Sequence, residues 1–377
     1  MAKVSVMGST GVIGKNVTFK LARAETISEV VLFAREESLD KAKGQSYDMY
    51  DALAAEDIDC LLTPSCNYED LAGSQIVLIS AGVPRKEGMS RRDLAFVNGK
   101  IVSEYAKQVA IHAPDAVILV ATNPVDVMTT IALDASGFSR DNVIGVGNHL
   151  DSLRLKTYFA RRLNINSSEI HTRVIGEHGD NMVPLLSSTT IGGIPLKYFI
   201  REVELDIKDI IQTLRNAGNT IISKKGATEY GPAYAISNLI QTIITNSHKI
   251  LTVSIYLDGE IADVKGVCLG VPAVLYKKGV AMIVPVHLND YERKKFIGAA
   301  EHVRELTELA KQGYECYIVF VIQMSDVDYF VPNYEIHREF GDALKEASEY
   351  GVKVLAFDCQ VTEDSMVLGD SVDVNLR

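Results

Sequence analysis

No stretch of this 377-residue chain approaches the ~18 consecutive apolar residues that a bilayer-spanning helix requires, which excludes a membrane-embedded function from the expectation. Cysteine is sparse. Cys60, Cys66, Cys268, Cys316 and Cys359 show no C-x-x-C spacing, which suits reduced thiols better than a disulfide framework or a zinc site. There is no H-E-x-x-H and no His/Cys cluster at ligand spacing, so no metal is expected. A charged leader with an apolar core is missing as well: the strand-like run Val4-Ser5-Val6 comes almost at once, and a cytoplasmic location is the expectation. Positive charge is not in excess either. The net charge is −11, and Glu301 to Arg377 hold 6 basic against 16 acidic residues while the preceding part holds 32 against 33. An acidic tail on a near-neutral body argues against nucleic acid and anionic membranes as partners, because phosphate binding draws on a basic surface. Internal repeats and low-complexity segments are absent.

What is present is the composition of a packed protein, 47% hydrophobic and 23% charged. The length suits two domains with an addition, at roughly 150 residues per domain. Up to about Gly147, short β-branched runs alternate with helix-like segments: Val4 to Met7, Val30 to Phe33, Ile76 to Ser80, Ala116 to Ala121 and Val143 to Val146. Continuous apolar strands of this kind are buried on both faces, the mark of an α/β fold with a doubly wound parallel sheet. After Asn148 the rhythm changes to a long helix (Leu150 to Leu163) and then mixed strands and helices, with Gly231-Pro232 as punctuation. A third texture begins near Ala299: helix Glu301 to Gln312, strand Tyr317 to Gln323, helix Ile336 to Tyr350, strand Val352 to Phe357. The expected partition is a dinucleotide-binding domain over 1–147, an α+β substrate domain over 148–300 and a small αβαβ extension over 301–377.

The first strand runs into Gly8-Ser9-Thr10-Gly11-Val12-Ile13-Gly14 and then a helix, the context in which a glycine-rich turn delivers pyrophosphate to a helix N-terminus. A glycine pattern alone is weak evidence, since tight turns use glycine for geometry. The second strand ends in Ala34-Arg35, where an acid would bind the ribose 2′-hydroxyl of NAD. Without that acid and with a guanidinium adjacent, NADP is the expected preference. Glu36 and Glu37 weaken the local positive potential, which leaves use of both NAD and NADP as the alternative.

Four further segments carry chemistry: Ala81-Gly82-Val83-Pro84-Arg85-Lys86-Glu87-Gly88-Met89-Ser90-Arg91, Thr122-Asn123-Pro124-Val125-Asp126, Leu150-Asp151-Ser152-Leu153-Arg154 and Gly176-Glu177-His178-Gly179-Asp180. Imidazole is the acid and base suited to neutral pH, and glycines around His178 leave its ring accessible. Asp151 and Arg154 are three apart on an expected helix and project to one face, where Arg154 can clamp a carboxylate bidentately. Singly, each residue has a bland reading, a satisfied loop histidine or a surface helix pair. Together and in this order they resemble the lactate and malate dehydrogenase superfamily over about the first 300 residues, above all its archaeal malate dehydrogenase branch.

The resemblance implies hydride transfer between NAD(P) and a 2-hydroxy acid. It implies Asp151 as the carboxylate orienting His178, and Arg91 in a closing loop that polarises the substrate carbonyl. Arg85 stands where the superfamily separates substrates, and arginine there matches the second carboxylate of malate and oxaloacetate. Asn123 is implied at substrate and nicotinamide, with Asn98 and Thr122 as further cofactor contacts, and a homodimer or homotetramer as the assembly. The rival readings are a lactate-type dehydrogenase and a nucleic-acid-binding or regulatory protein acting through the tail. Lys86-Glu87-Gly88 departs from the proline that many relatives carry before the glycine. From about Glu301 the chain is instead similar to the C-terminal part of sugar fermentation stimulation protein A. That similarity rests on Glu301 to Leu306, Gly313-Tyr314, Val319 to Val321, Phe330 to Asn333, Gly351 to Ala356 and Glu363 to Met366.

Overall fold

The computed structural model describes residues 1–83, 91–202, 205–311, 317–325, 327–335, 338–349, 352–362 and 364–376. Its first strands and helices alternate: β1 (Ala2–Met7), α1 (Val12–Ala22), β2 (Ile27–Phe33), α2 (Leu39–Ala54), β3 (Leu61–Ser65), β4 (Ile76–Ile79), α3 (Arg91–His112), β5 (Val117–Val120), α4 (Val125–Ser136) and β6 (Val143–Gly145). The six strands pair in parallel in the order β3-β2-β1-β4-β5-β6. Every residue of β4, β5 and β6 is buried, as a sheet covered by helices on both faces requires. Strand β3 escapes a reading by apolar runs. It contains Pro64 and an exposed Leu61, both tolerable at the sheet edge, where a missing ladder N–H costs little.

The strand order reverses direction between β1 and β4, the switch point at which open α/β sheets leave a crevice for ligands. There the chain turns at Gly8, whose φ of +92° belongs to glycine. A Cβ on Gly8 would lie 2.7 Å from the backbone nitrogen of Ala81, beyond the end of β4. The tight turn therefore brings the ends of these two strands together.

The chain continues through α5 (Asn148–Leu163), β7 (Ile170–His171), β8 (Val174–Gly176), β9 (Met182–Pro184), β10 (Thr190–Ile191), β11 (Ile194–Pro195), α6 (Leu196–Glu202), α7 (Ile207–Lys225), α8 (Tyr230–Ile244), β12 (Ile250–Asp258), β13 (Lys265–Tyr276), β14 (Gly279–Ile283) and α9 (Asp290–Lys311). Strand β12 pairs antiparallel with β6, so the large sheet continues through β12, β13, β8 and β9. Gly231 and Pro232, read as punctuation in the sequence, lie in the first turn of α8. Proline is tolerated there because first-turn N–H groups have no partner within the helix.

Helix α9 begins at Asp290, well before the Glu301 at which the sequence reading starts a helix. Asn289 Oδ1 accepts the Glu292 backbone N–H at 2.9 Å, and Glu292 Oε2 accepts that of Asn289 at 3.1 Å, a reciprocal cap. Phe296, Ala299, Ala300, Val303 and Leu306 of α9 are buried in the core shared with the large sheet. The compact units accordingly divide as Met1–Lys311 and Gln312–Arg377. The expected boundary at 300/301 falls inside a continuous helix whose second half packs with the first unit.

The second unit holds β15 (Tyr317–Val321), β16 (Tyr329–Phe330), α10 (Arg338–Glu349), β17 (Lys353–Val361) and β18 (Met366–Val374), in the sheet order β15-β17-β18-β16. The expected strand-helix-strand core is there. Strands β16 and β18 go beyond it: β16 has two residues, and Gly369-Asp370-Ser371 makes β18 read as a polar loop.

Candidate active site

The hairpin of β8 and β9 carries the loop Glu177 to Asn181 at its tip. His178 stands on this loop, and its Nδ1 lies 2.6 Å from Asp151 Oδ2. Asp151 is fully buried in the first turn of α5, where the positive end of the helix favours a carboxylate. Arg154, one turn further along, reaches Asp151 Oδ1 at 3.3 Å. The i,i+3 spacing thus places both side chains on one face of α5, as the sequence reading expects.

With the Asp151 carboxylate accepting at Nδ1, the Nε2 of His178 is the nitrogen left for other partners. Burial works against the charged ring, but Asp151 and then Asp126 outweigh it, and the imidazole pKa is raised above its ordinary value. His178, Arg154 and Asn123 line one cavity of about 190 Å³, together with Ile13, Leu150 and residues of α7 and α8. A glycine makes room for the ring. A Cβ on Gly147, at the N-terminus of α5, would stand 2.6 Å from the Cβ of His178.

The glycine turn meets the N-terminus of α1, which has Gly11 as its cap, no side-chain cap hydrogen bond and no acid in its first turn. Its leading N–H groups are available to an anion, and a Cβ on Gly14 would lie 2.2 Å from the Gly8 carbonyl oxygen, so the close turn depends on glycine. Ser9 is buried and its hydroxyl donates to the Phe33 carbonyl at 3.2 Å. Val12 is exposed, Thr10 is partly so, and Ile13 reaches the cavity. This cradle suits a dinucleotide.

At the end of β2, Ala34 is buried and its N–H donates to Ser65. Arg35 is exposed and its guanidinium lies 3.0 Å from Glu37. The acid whose influence the sequence suggested therefore touches the guanidinium directly. Asn98 is buried with its polar atoms on backbone: Oδ1 accepts from Val83 at 2.8 Å, and Nδ2 donates to the Asn123 carbonyl at 2.8 Å. It braces the segments that carry Val83 and Asn123. The Thr122 hydroxyl donates to Ala81 at 2.7 Å. Arg85 lies outside the described residues, and so does the side chain of Arg91, whose backbone opens α3.

Several residues at this site carry no role in the sequence reading. Gly218, Ile222 and Thr228 form the cavity's far wall, and no motif marks them. Asp126 closes the quoted segment Thr122 to Asp126, so its signal was present, yet only the fold shows that its carboxylate accepts the backbone N–H of His178 at 2.8 Å. Its other oxygen accepts from Ser254 of β12 at 2.6 Å. Among the described residues no group of three or more potential ligands could hold a metal.

The comparisons with known proteins agree with this geometry. The family model for the lactate/malate dehydrogenase NAD binding domain matches residues 2–145, and that for the lactate/malate dehydrogenase alpha/beta C-terminal domain matches 148–315. The chain belongs to the lactate/malate dehydrogenase family. It is 62% identical over 312 residues to the malate dehydrogenase of Methanosphaera stadtmanae, covering 82% of this chain and 98% of that protein. It is 44% identical to the L-2-hydroxycarboxylate dehydrogenase (NAD(P)(+)) of Methanocaldococcus jannaschii, covering 82% and 99%. Among solved structures, the malate dehydrogenase from Aeropyrum pernix superposes with a TM-score of 0.76 at 32% identity, covering 81% of this chain and 97% of that one. A model for the sugar fermentation stimulation protein RE domain matches residues 298–365, overlapping the second half of α9. This dehydrogenase-family chain is an oxidoreductase with an NAD-binding domain, and none of its described helices is long and apolar enough to cross a membrane.

Proposed function

We propose that the chain is a malate dehydrogenase, interconverting (S)-malate and oxaloacetate with NAD(P). The observation that carries the reading is the buried Asp151 held against His178, with Arg154 beside them, His178 and Arg154 lining a cavity that also meets the first turn of the helix of the dinucleotide cradle. When bound, the dinucleotide supplies a nicotinamide carbon that gives or takes the hydride at C2 of the substrate. The residues Gly8 to Gly14 and the first amides of α1 would hold its pyrophosphate, and Thr122, Asn98 and Asn123 would shape the nicotinamide end.

The protein's own chemistry is a proton transfer and two electrostatic clamps. In oxidation, Nε2 of His178 takes the proton of the C2 hydroxyl as its C2–H leaves with both electrons; in reduction the imidazolium returns it to the new alkoxide oxygen. Asp151 keeps Nδ1 protonated and stabilises the positive ring. Arg154 grips the carboxylate next to the reacting carbon. Arg85 is assigned the distal carboxylate and Arg91 the carbonyl oxygen; both assignments rest on their places in the sequence motif. Three domains are proposed: dinucleotide binding, substrate binding and the extension. The assembly proposed is a dimer or tetramer in the cytoplasm.

For the cofactor, the missing acid at Ala34 supports NADP, whereas the Glu37 contact with Arg35 reduces the attraction for a 2′-phosphate. We therefore assign use of both, with NADPH favoured. Steady-state rates with oxaloacetate and with pyruvate, each with NADH and NADPH, test the proposal. Faster reduction of oxaloacetate is expected; faster reduction of pyruvate would refute the malate assignment and the role of Arg85.

A further inference from the structure

The loop that carries His178 is also reached from α9, by a side chain that the reaction scheme above does not use. Glu177, the residue before His178, is 3% exposed. Its Oε2 accepts from Asn181 Nδ2 at 2.6 Å, which folds the far end of the loop back onto its start. The same oxygen lies 3.0 Å from Nδ1 of His302 on α9. A carboxylate oxygen offers only lone pairs, so Nδ1 is the donor. Three residues earlier on α9, Ala299 lies 3.6 Å from the place that a Cβ on Gly176 would take, so the helix runs beside the end of β8.

We propose that His302 is a positioning residue for the dehydrogenase reaction: by holding the Glu177 carboxylate against α9 it fixes the path of the loop, and with it the place from which the His178 ring meets the substrate. The inference rests on His178 being the proton carrier. Glu177 and His178 share one planar peptide unit, so a shift of the Glu177 main chain passes directly to His178. The ring is already anchored by Asp151 of α5 and the backbone N–H by Asp126 of α4. His302 adds an anchor from α9, one residue ahead of the reacting group.

The burial of the two partners separates this role from packing. The His302 side chain is 35% exposed, whereas that of Glu177 is 4% exposed. Removing the imidazole therefore takes away little buried surface but leaves a buried carboxylate oxygen with one donor fewer. The loop is then free to relax towards another donor. Proton and hydride transfer are sensitive to such movement, since a misplacement of about 1 Å can slow a reaction by roughly 100-fold.

The test is single-turnover oxaloacetate reduction by wild type, His302→Leu, His302→Asn, Glu177→Ala and the double variant that combines His302→Leu with Glu177→Ala. KM for oxaloacetate, NADPH affinity and thermal melting are recorded for each. His302→Leu fills a similar volume without a donor and is expected to slow hydride transfer by about tenfold. Its KM and NADPH affinity should stay within about twofold of wild type, because Arg154 and the dinucleotide cradle are untouched. His302→Asn carries an N–H donor near the place of Nδ1 and should keep the rate within about threefold of wild type. The double variant should be no slower than Glu177→Ala alone, since His302 acts through that carboxylate. A wild-type rate in His302→Leu would overturn the inference, as would equal losses in His302→Leu and His302→Asn, or losses that multiply in the double variant. A parallel collapse of melting temperature and nucleotide affinity in His302→Leu would also overturn it, marking His302 as a fold-holding residue only. His178→Asn separates the two levels. Loss of turnover by orders of magnitude supports the proton-carrier role on which the inference stands, and unchanged turnover would remove that role, whatever the His302 variants do.

Discussion

His178 is an ordinary residue made specific by what touches it. Burial disfavours the imidazolium, and the Asp151 carboxylate at 2.6 Å, together with Asp126, outweighs it. The sign of the rate dependence follows. Oxaloacetate reduction needs the protonated ring, so its kcat/KM should be flat at low pH and fall tenfold per unit above a pKa higher than that of free histidine. Malate oxidation needs the neutral ring and should rise over the same interval. Stopped-flow or steady-state profiles in both directions check this, and two limbs centred on different ionisations would separate His178 from one of the directions. Asp126 predicts a stability effect of the opposite kind from a salt-bridged acid. Its folded pKa of about 7 lies above the ordinary 3.8, so the proton it binds stabilises the folded form below about pH 4, and that contribution is lost as pH rises towards 7. Asp126→Asn, neutral throughout, should therefore gain stability relative to wild type between pH 4 and 8, by a few kcal/mol at most. Denaturant midpoints across that range measure it; a constant difference would mean that the carboxylate is ionised throughout.

At the scale of elements, the turn between β1 and α1 and the end of β2 decide the cofactor. The uncapped start of α1 offers backbone donors that any dinucleotide pyrophosphate can use, so discrimination falls to the ribose end of the site, near Ala34, Arg35 and Glu37. Ala34→Asp should move the NADPH:NADH preference towards NADH by about tenfold, or ~1.4 kcal/mol. Glu37→Gln should move it the other way by releasing the guanidinium, and by less, because an ion pair this exposed contributes at most about 1 kcal/mol. Ratios of kcat/KM for the two nucleotides report both, and an unaltered ratio in Ala34→Asp would refute the 2′-phosphate argument. The same elements show where the sequence was legible. Buried parallel strands announce themselves as continuous apolar runs, hence β4, β5 and β6. The edge strand β3, with Pro64, does not, because it is paired on one side only, and the polar β18 does not, because most of its residues are exposed.

For the whole molecule, the first unit holds every described residue assigned to the reaction, and the relative from Methanosphaera stadtmanae is matched over 98% of its length by 82% of this chain. A chain ending at Lys311 should keep kcat and KM within about twofold of the full-length protein, since α9 is then complete and its apolar face remains in the core. A chain ending at Ala300 should be strongly destabilised, because it removes Val303 and Leu306, buried side chains whose loss costs roughly 2–5 kcal/mol each. Thermal melts and activity of the two truncations test the boundary, and equal stability of both would place it back at 300.

The sequence by itself determined the parallel sheet, the glycine turn, the pairing of Asp151 with Arg154 on one helical face, and the family, because each of these depends on residues near one another in the chain or on local periodicity. Only the tertiary structure decided that Asp126 lies under His178, that Gly147 vacates the space for its ring, that α7 and α8 wall the cavity, and that residues 301–311 belong to the first unit. Those relations join residues far apart in the chain, and nothing in local spacing constrains which distant side chains a fold brings within hydrogen-bonding distance.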